Sequence, residues 1–337
     1  MAKVAVVILN YNGRQFLEKF LPDVIRHSPD AEVYVADNNS TDDSVEYLTK
    51  HFPETKLIQL EINNGYAAGY NLALNQIEAE YYILLNSDIE VTDNWIRPIT
   101  DFMDSHTEVA ACQPKILDYK NKEYFEYAGA AGGYLDFLGY PYCRGRIFDT
   151  LEKDLGQYDS NQQVFWATGA CMFIRSEVFH QLGGFDESFF AHMEEIDLCW
   201  RINMYGKEVY CIPESKVYHV GGGTLSKTNP QKTYLNFRNN LSMLYKNSTL
   251  LSLYWKLPLK LILDILASFK LWKDNSFDHF AAVIKAYLYF IKKISENNIK
   301  RDKLKKLRKN NPVLSLTKAL TPIQYYLLGK KHFSDLI

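Results

Sequence analysis

The stretch EYYILLNSDIEV, Glu80 to Val91, decides the fold. Its apolar and aromatic residues Tyr81 to Leu85 give way to Asn86-Ser87-Asp88. That pattern reads as a buried strand that ends by presenting one carboxylate at its carboxyl edge. In an open α/β sheet, ligands bind beyond the carboxyl ends of the strands. A lone aspartate there suits a hard divalent cation, and the cation suits a diphosphate. Aspartates also cap turns and helices, and this segment alone leaves both readings open.

Working outward, strand and helix signals alternate. Lys3 to Leu9, Glu32 to Ala36, Lys56 to Leu60 and Tyr81 to Leu85 read as strands. Gly13 to His27, a segment capped at Ser40 or Thr41 and running through Lys50, and Asn64 to Ile77 read as helices between them. Such alternation predicts an α/β fold with a mostly parallel sheet flanked by helices. Ala110 to Phe165, rich in Gly and Tyr, is expected to form hairpins and loops over one face of the site. Regularity returns at Phe165 to Arg175, with a helix over Glu194 to Tyr205, short strands at Lys207 to Ile212 and Lys216 to Val220, and a helix over Tyr234 to Tyr245.

The totals narrow the class. With 337 residues, 47% hydrophobic and 14% aromatic, the chain supports a large catalytic domain with an appendage and excludes a disordered class. Five cysteines form no C-x-x-C pair, so buried thiols in a reducing cytoplasm are expected rather than disulfides or a metal cluster. MAKVAVVILNYNG reads as a strand rather than a signal peptide, and no apolar stretch is long enough to span a membrane. Residues 1–245 carry 20 Lys and Arg against 34 Asp and Glu, net −14. Residues 246–337 carry 18 against 6, net +12. This asymmetry divides the chain into an acidic catalytic domain (1–245) and a basic helical region (246–337) whose partner is an anionic surface.

Several candidates carry chemistry. Asp37 closes the second strand, where a carboxylate can accept from a base or ribose; a turn aspartate is the plainer reading. Asn63 to Asn71, NNGYAAGYN, opens a helix with glycines and backbone N–H groups suited to a diphosphate, although it is not G-x-G-x-x-G. Glu194, Glu195 and Asp197 start an otherwise apolar helix. Asp197 has the i,i+4 spacing to pair with Arg201, while two adjacent glutamates point in different directions, so one can face a cleft as a general base. His219 could complete a metal site with Asp88, and Arg238 could neutralise phosphate charge.

Taken together, these segments resemble the family-2 glycosyltransferases, inverting sugar-nucleotide enzymes of GT-A fold, and most of all their bacterial rhamnosyltransferase-like branch, which builds surface polysaccharides. The resemblance rests on VAVVILNYNG, VADNNSTDDSVEYL, NNGYAAGYNLAL, YYILLNSDIEV, GACMFIRSEVFHQLGGFDESFFAHMEEIDLCWR, VYHVGGGTL and YLNFRNNL, in that order from Val4 to Leu244. It implies that Leu9, Asn10, Tyr11 and Asp37 frame the nucleoside and that Asn64, Gly65 and Asn71 line the donor. Asn86, Ser87 and Asp88 then stand for the family's D-x-D, with Asn86 replacing the first Asp and Asp88 binding the metal with His219. Glu194-Glu195-x-Asp197 stands for E-D-x-D, so Glu195 replaces the usual base aspartate; its extra methylene shifts the reach by about an ångström, a scale that matters for rate. Trp166, Gly169 and Glu194 fall where acceptor and donor meet.

The expected reaction is therefore transfer of a sugar from a UDP- or dTDP-linked donor to a glycan or lipid-linked acceptor, with Mg²⁺ or Mn²⁺ as cofactor. A sugar nucleotidyltransferase would want a Gly- and Lys/Arg-rich loop after the first strand, where NYNGRQF has one Gly and one Arg. A non-catalytic carbohydrate-binding protein would leave the acids at Asp88 and Glu195 without a role. The acidic catalytic part argues against nucleic acid. For the basic region, lysines interleaved with Leu, Trp, Tyr and Phe suit helices lying on anionic lipid at the inner face of the cytoplasmic membrane, with a helical subdomain or a homodimer interface as the alternatives.

Overall fold

A computed structural model describes residues 2–221, 228–308 and 316–336. Gly222 and Gly223, within the VYHVGGGTL segment, lie outside the described residues. The elements run β1 (Ala2–Asn10), α1 (Arg14–Arg26), β2 (Glu32–Asp37), α2 (Ser44–His51), β3 (Lys56–Gln59), α3 (Gly65–Leu74), β4 (Ala79–Asn86), β5 (Ile89–Val91), α4 (Arg97–Ser105) and β6 (Val109–Asp118). There follow β7 (Gly133–Leu135), β8 (Pro141–Cys143), β9 (Arg146–Ile147), β10 (Thr150–Leu151), β11 (Gln162–Gln163), β12 (Cys171–Arg175), α5 (Ser176–Gln181), α6 (Glu194–Tyr205) and β13 (Glu208–His219). The chain continues through α7 (Pro230–Asn247), α8 (Leu250–Asp274), α9 (Phe277–Lys292), α10 (Ile294–Leu307) and α11 (Thr321–Tyr326).

The main sheet has the order β11-β13-β6-β12-β4-β1-β2-β3, with β5 paired to β13. β1 is parallel to both β2 and β4, β2 to β3, and β6 to β13, while β12 runs antiparallel between β4 and β6. The strands alternate two apolar faces. Val7 and Leu84 face one core with Tyr70 of α3, and Val6 and Ile83 face the other with Leu17 of α1 and Ile99 of α4. Burial on both faces is what a mostly parallel sheet requires. Register then aligns the strand ends: Asn10 lies opposite Asp37, and Leu9 opposite Asn86.

Two sequence expectations change. The segment from Ala110 opens not as a loop but as β6, a ten-residue strand inside the sheet. Gln113, Pro114 and Lys115 interrupt its apolar pattern, and tertiary partners compensate them. The Gln113 amide donates to the carbonyls of Pro114, Gly129 and Ala130, and its oxygen accepts from Thr168 N at 3.0 Å. Lys115 pairs with Asp154 at 2.9 Å and with Asp159. The two short strands expected from Lys207 to Val220 are one strand, β13, whose pairing with β6 shifts register between Ile212 and Lys216. Pro213 falls in that interruption, where a residue without an N–H costs no ladder bond.

The remaining middle segment contributes a four-stranded sheet of order β10-β9-β8-β7. It is tied to the main body where Trp166 packs on Gly133: a Cβ at Gly133 would lie 1.9 Å from the indole ring. The C-terminal residues pack on the same sheet. Thr317 N donates to Leu135 O at 3.0 Å, Thr321 N to Asp136 Oδ2 at 3.0 Å, and Phe333 sits among Tyr134, Tyr142 and Tyr158. Because the indole cannot yield without leaving the core, Gly133→Ala should lower stability by about 1–3 kcal/mol, read from the urea midpoint. An unchanged midpoint would contradict this packing.

Candidate active site

The polar end of β4 meets the end of β13. Asp88 Oδ1 lies 3.1 Å from His219 Nε2, and Asn86 Nδ2 lies 3.5 Å from the same nitrogen. The backbone fixes the pair, since Val220 N donates to Asp88 O at 3.1 Å and His219 pairs with Ile89 across β5 and β13. On the other side of the ring, Nδ1 lies 3.1 Å from Glu126 Oε2. Burial alone would push the imidazole pKa down. The Glu126 and Asp88 carboxylates outweigh it and raise the pKa to about 10. Asp88 is likewise held below its ordinary range, by His219 against the opposing effect of its own burial.

Glu126 carries no signal in the sequence. It is a single acid in YFEYAG, and only the strand crossing that brings it to His219 marks it. A carboxylate on one ring nitrogen that leaves the other facing Asp88 is the usual support of a metal-binding histidine. Among the described residues no group of three His, Cys, Asp or Glu forms a self-sufficient metal cage. Asp88 and His219 would suit a Mg²⁺ or Mn²⁺ ion that displaces the imidazole proton and draws its other ligands from diphosphate oxygens and water.

Glu194 and Glu195 open α6 from a strained loop. Phe190, His192 and Met193 have φ of 65°, 70° and 72°. Left-handed backbone at such residues costs on the order of 1–3 kcal/mol each and persists only where the surroundings enforce it. Here α7 enforces it. Asn239 Nδ2 donates to the carbonyls of Phe189, Ala191 and His192 at 2.9, 2.9 and 2.7 Å. Arg238 Nη2 donates to those of Ser188 and Phe189 at 3.0 and 2.6 Å. The guanidinium expected to meet phosphate is thus spent on the loop.

The loop delivers two carboxylates to the start of α6. One oxygen of Glu194 and one of Glu195 are buried without a hydrogen bond. Burial pushes the Glu195 carboxyl up to about 7, and burial with Glu195 beside it raises Glu194 well above its ordinary range. Asp197 has the opposite environment. It meets Arg201 at 3.0 Å, Lys246 at 3.0 Å and Asn247 Nδ2 at 2.7 Å, which makes it the anchor of α6 on α7.

The same loop closes on the start of α3. Ala67 N donates to Phe190 O at 3.1 Å, and a Cβ at Gly65, whose φ is +80°, would lie 2.5 Å from Phe190. Tyr66 OH donates to Gly169 O at 2.7 Å, and the phenol lies in the field of Glu194 and Glu195, which add to the effect of burial on its raised pKa. Asn86 N donates to Ala170 O at 2.9 Å. Gly65 and Tyr66 at the start of α3, Gly169, and the loop that leads into Glu194 and Glu195 therefore meet in one cluster, with Asn86 joined through Ala170. Tyr66 was not singled out by sequence.

Other candidates have commitments of their own. Asp37 accepts from Asn10 Nδ2 at 3.0 Å, Ser40 N at 2.9 Å and Ser40 Oγ at 2.6 Å, so it holds the loop after β2. Leu9 packs on Gly69, Ser87 lies near Gly13, and Tyr11 is exposed. Asn71 is committed elsewhere: its amide bonds Phe185 N and O and Glu187, clamping the 183–187 turn. Trp166 is buried against Gly133, with Nε1 donating to Tyr134 O at 3.0 Å, and offers no open ring face.

Comparison with known proteins follows this geometry. The model of "Glycosyl transferase family 2" matches residues 5–183. The chain is 27% identical over 222 residues to "O-antigen biosynthesis protein RfbC" of Myxococcus xanthus, covering 64% of this chain but 17% of that protein. It is 26% identical over 230 residues to "N-acetylglucosaminyl-diphospho-decaprenol L-rhamnosyltransferase" of Mycobacterium tuberculosis, covering 64% of this chain and 75% of the relative. Among solved structures, GalNAc-T7 with UDP, GalNAc and Mn²⁺ superposes with a TM-score of 0.56 at 17% identity, covering 72% of this chain and 47% of that one. That likeness is one of fold, the GT-A arrangement of a mostly parallel sheet with helices on both faces. The family match spans the sheet edge that carries Asp37, Asn64 and Asp88, and the chain belongs to glycosyl transferase family 2, with its relatives in the bacterial rhamnosyltransferase branch.

Proposed function

We propose that the chain is an inverting glycosyltransferase that moves a sugar from a UDP- or dTDP-linked donor to a glycan or lipid-linked glycan in surface-polysaccharide synthesis. One observation carries the reading. Glu195 combines a buried, unpartnered carboxylate oxygen with a pKa raised to about 7. A carboxylate poised near neutrality can both accept a hydroxyl proton and be ionised at working pH. The names of the relatives support the acceptor class: the mycobacterial protein is named for a sugar on a lipid diphosphate.

In this mechanism Glu195 removes the proton of an acceptor hydroxyl as its oxygen attacks the anomeric carbon. The nucleoside diphosphate departs from the opposite face and the configuration inverts. Both carboxyls are raised, and two adjacent buried carboxylates do not readily ionise together, so one of the pair serves as base, a role we give to Glu195. Asp88 and His219 would hold a divalent cation, Mg²⁺ or Mn²⁺, which supplies charge neutralisation for the departing diphosphate. The backbone N–H groups at the start of α3 face the donor side, and Tyr66 fixes Gly169 between donor and acceptor. We place the chain at the inner face of the cytoplasmic membrane, held peripherally by residues 246–337; among the described residues no helix is long and apolar enough to cross it.

Four measurements test this. Glu195→Gln should lower kcat by at least about 100-fold while leaving the donor Kd within about threefold; retained turnover removes the base assignment. The wild-type kcat/KM should fall tenfold per pH unit below about 7, because the base is then protonated. Stability gives a second readout of the same group. The folded chain keeps a proton on Glu195 that the unfolded chain releases between its ordinary 4.5 and about 7, so native stability falls as pH rises through that window. Glu195→Gln should therefore stabilise the protein on the order of 2–3 kcal/mol at pH 8 and little at pH 4. Finally, calorimetric binding of UDP-, dTDP- and GDP-sugars with Mg²⁺, Mn²⁺ or chelator should select one donor, with metal-dependent affinity lost in Asp88→Ala. Equal binding with chelator would remove the cation from the reading.

A further inference from the structure

Helix α8 is built inside out. A helix on the surface of a globular protein turns apolar residues inward and charges outward. In α8 the charged residues of the first five turns, Lys256, Lys260 and Asp264, are buried. Lys260 lies over the Tyr140 ring at 3.6 Å and 3.4 Å from Asp264, whose carboxylate also accepts from Tyr140 and, at 2.7 Å, from Tyr287. The outward side carries Leu251, Tyr254, Ile262, Leu266 and Phe269, with Leu251 at 79% and Tyr254 at 81% exposure. Between Leu250 and Phe269 no charged residue is exposed. At 1.5 Å per residue this apolar strip runs for about 30 Å.

The buried charges fix which way the strip faces. Rotating α8 to hide it would carry Lys260 and Asp264 away from Tyr140 and Tyr287 and break a buried, hydrogen-bonded pair. The strip is thus locked outward and needs a cover. Its chemistry selects that cover. Tyr254, Trp255 and Trp272 are exposed along it, and such rings favour the level of lipid headgroups. Exposed Lys273 stands at its end with Lys270, which pairs with Asp274; on α10, Lys303 and Lys306 are exposed with Lys305, which pairs with Asp302, in a region of net +12. A second copy would bring an equal positive charge against it, whereas an anionic leaflet complements it.

We propose that the outward face of α8 lies flat in an anionic bilayer surface, with Lys256, Lys260 and Asp264 acting as the bolt that keeps it turned to the lipid. This deepens the peripheral-membrane part of the function proposed above and rests on it. It also sets an orientation. Trp255 stacks on Phe137 at 4.2 Å, and Asp136 holds the turn back to Tyr140, directly after β7, whose Gly133 carries Trp166. The bilayer then lies on the side of that turn, next to the segment from Trp166 to Gly169, so a lipid-linked acceptor approaches the site from its own membrane.

The test is flotation of the full chain with vesicles of phosphatidylcholine alone or with 30% phosphatidylglycerol, alongside light scattering for oligomeric state. Wild type should float with the anionic vesicles and not the neutral ones, less at high salt. Ile262→Glu with Leu266→Glu should lower the floated fraction about tenfold or more, while Leu155→Glu, on a distant exposed site, should not. Donor hydrolysis in solution should be equal in all three. If wild type does not float, the membrane reading itself falls. If it floats and the double variant floats equally, only the assignment to α8 falls. A wild-type dimer that becomes monomeric in the double variant, with no flotation of either, makes the face an interface between copies and overturns the proposal.

Discussion

Helix α7 holds the backbone that no local preference would hold. The left-handed residues Phe190, His192 and Met193 stand ahead of Glu194 and Glu195, and Asn239 and Arg238 grip the carbonyls of that loop. About two helical turns further on, Lys246 and Asn247 secure Asp197 of α6. Two parts of one helix therefore fix both sides of the glutamate pair: the loop that leads in and the helix that leads out. The strain stored before Glu194 is repaid by hydrogen bonds made through tertiary contact.

The same helix joins the site to the basic region. Arg301 of α10 donates to the carbonyls of Tyr245 and Ser248 at the end of α7, and Tyr245 OH donates to Asn298 at 2.6 Å. Lys300 joins Lys246 on Asp186, holding that carboxyl far below its ordinary range against its burial. The acidic and basic halves are thus complementary across their contact. The charge asymmetry is partly a feature of internal packing and partly a surplus left on the outside.

Buried charge is used in two ways. Asp197, Asp186 and Lys115 are paired and hydrogen-bonded, so they fix geometry. Glu194 is buried and Glu195 partly so, each with one carboxylate oxygen left without a partner, and both carboxyls are raised. His219 stands between, with a carboxylate on each ring nitrogen. Catalytic potential in this chain follows from which buried acids are left unpaired.

Much of this was legible in sequence. The alternation of strands and helices through Asn86 follows from period and from turn residues, which are local properties, and α6 was bounded at Glu194 and Tyr205 because its acids and Gly206 mark a helix start and stop. The i,i+4 pair of Asp197 with Arg201 needs only a helix. Strand β6 was hidden because Gln113 and Lys115 become strand residues only when Thr168, Asp154 and Asp159 are brought to them. Arg238 and Asn71 looked like donor ligands because their residue type suits phosphate or a hydroxyl, and what they bond is settled by chain segments far away in sequence. Glu126 was invisible for the same reason. The sequence by itself determined the layered α/β fold, the strand end at Asp88 and the acidic start of α6, since periodicity and capping are written within a few residues. Only the tertiary structure decided that Glu126 backs His219, that α7 holds the loop before Glu195, and that α8 turns its charges inward, since burial and pairing belong to contacts between segments and not to any segment alone.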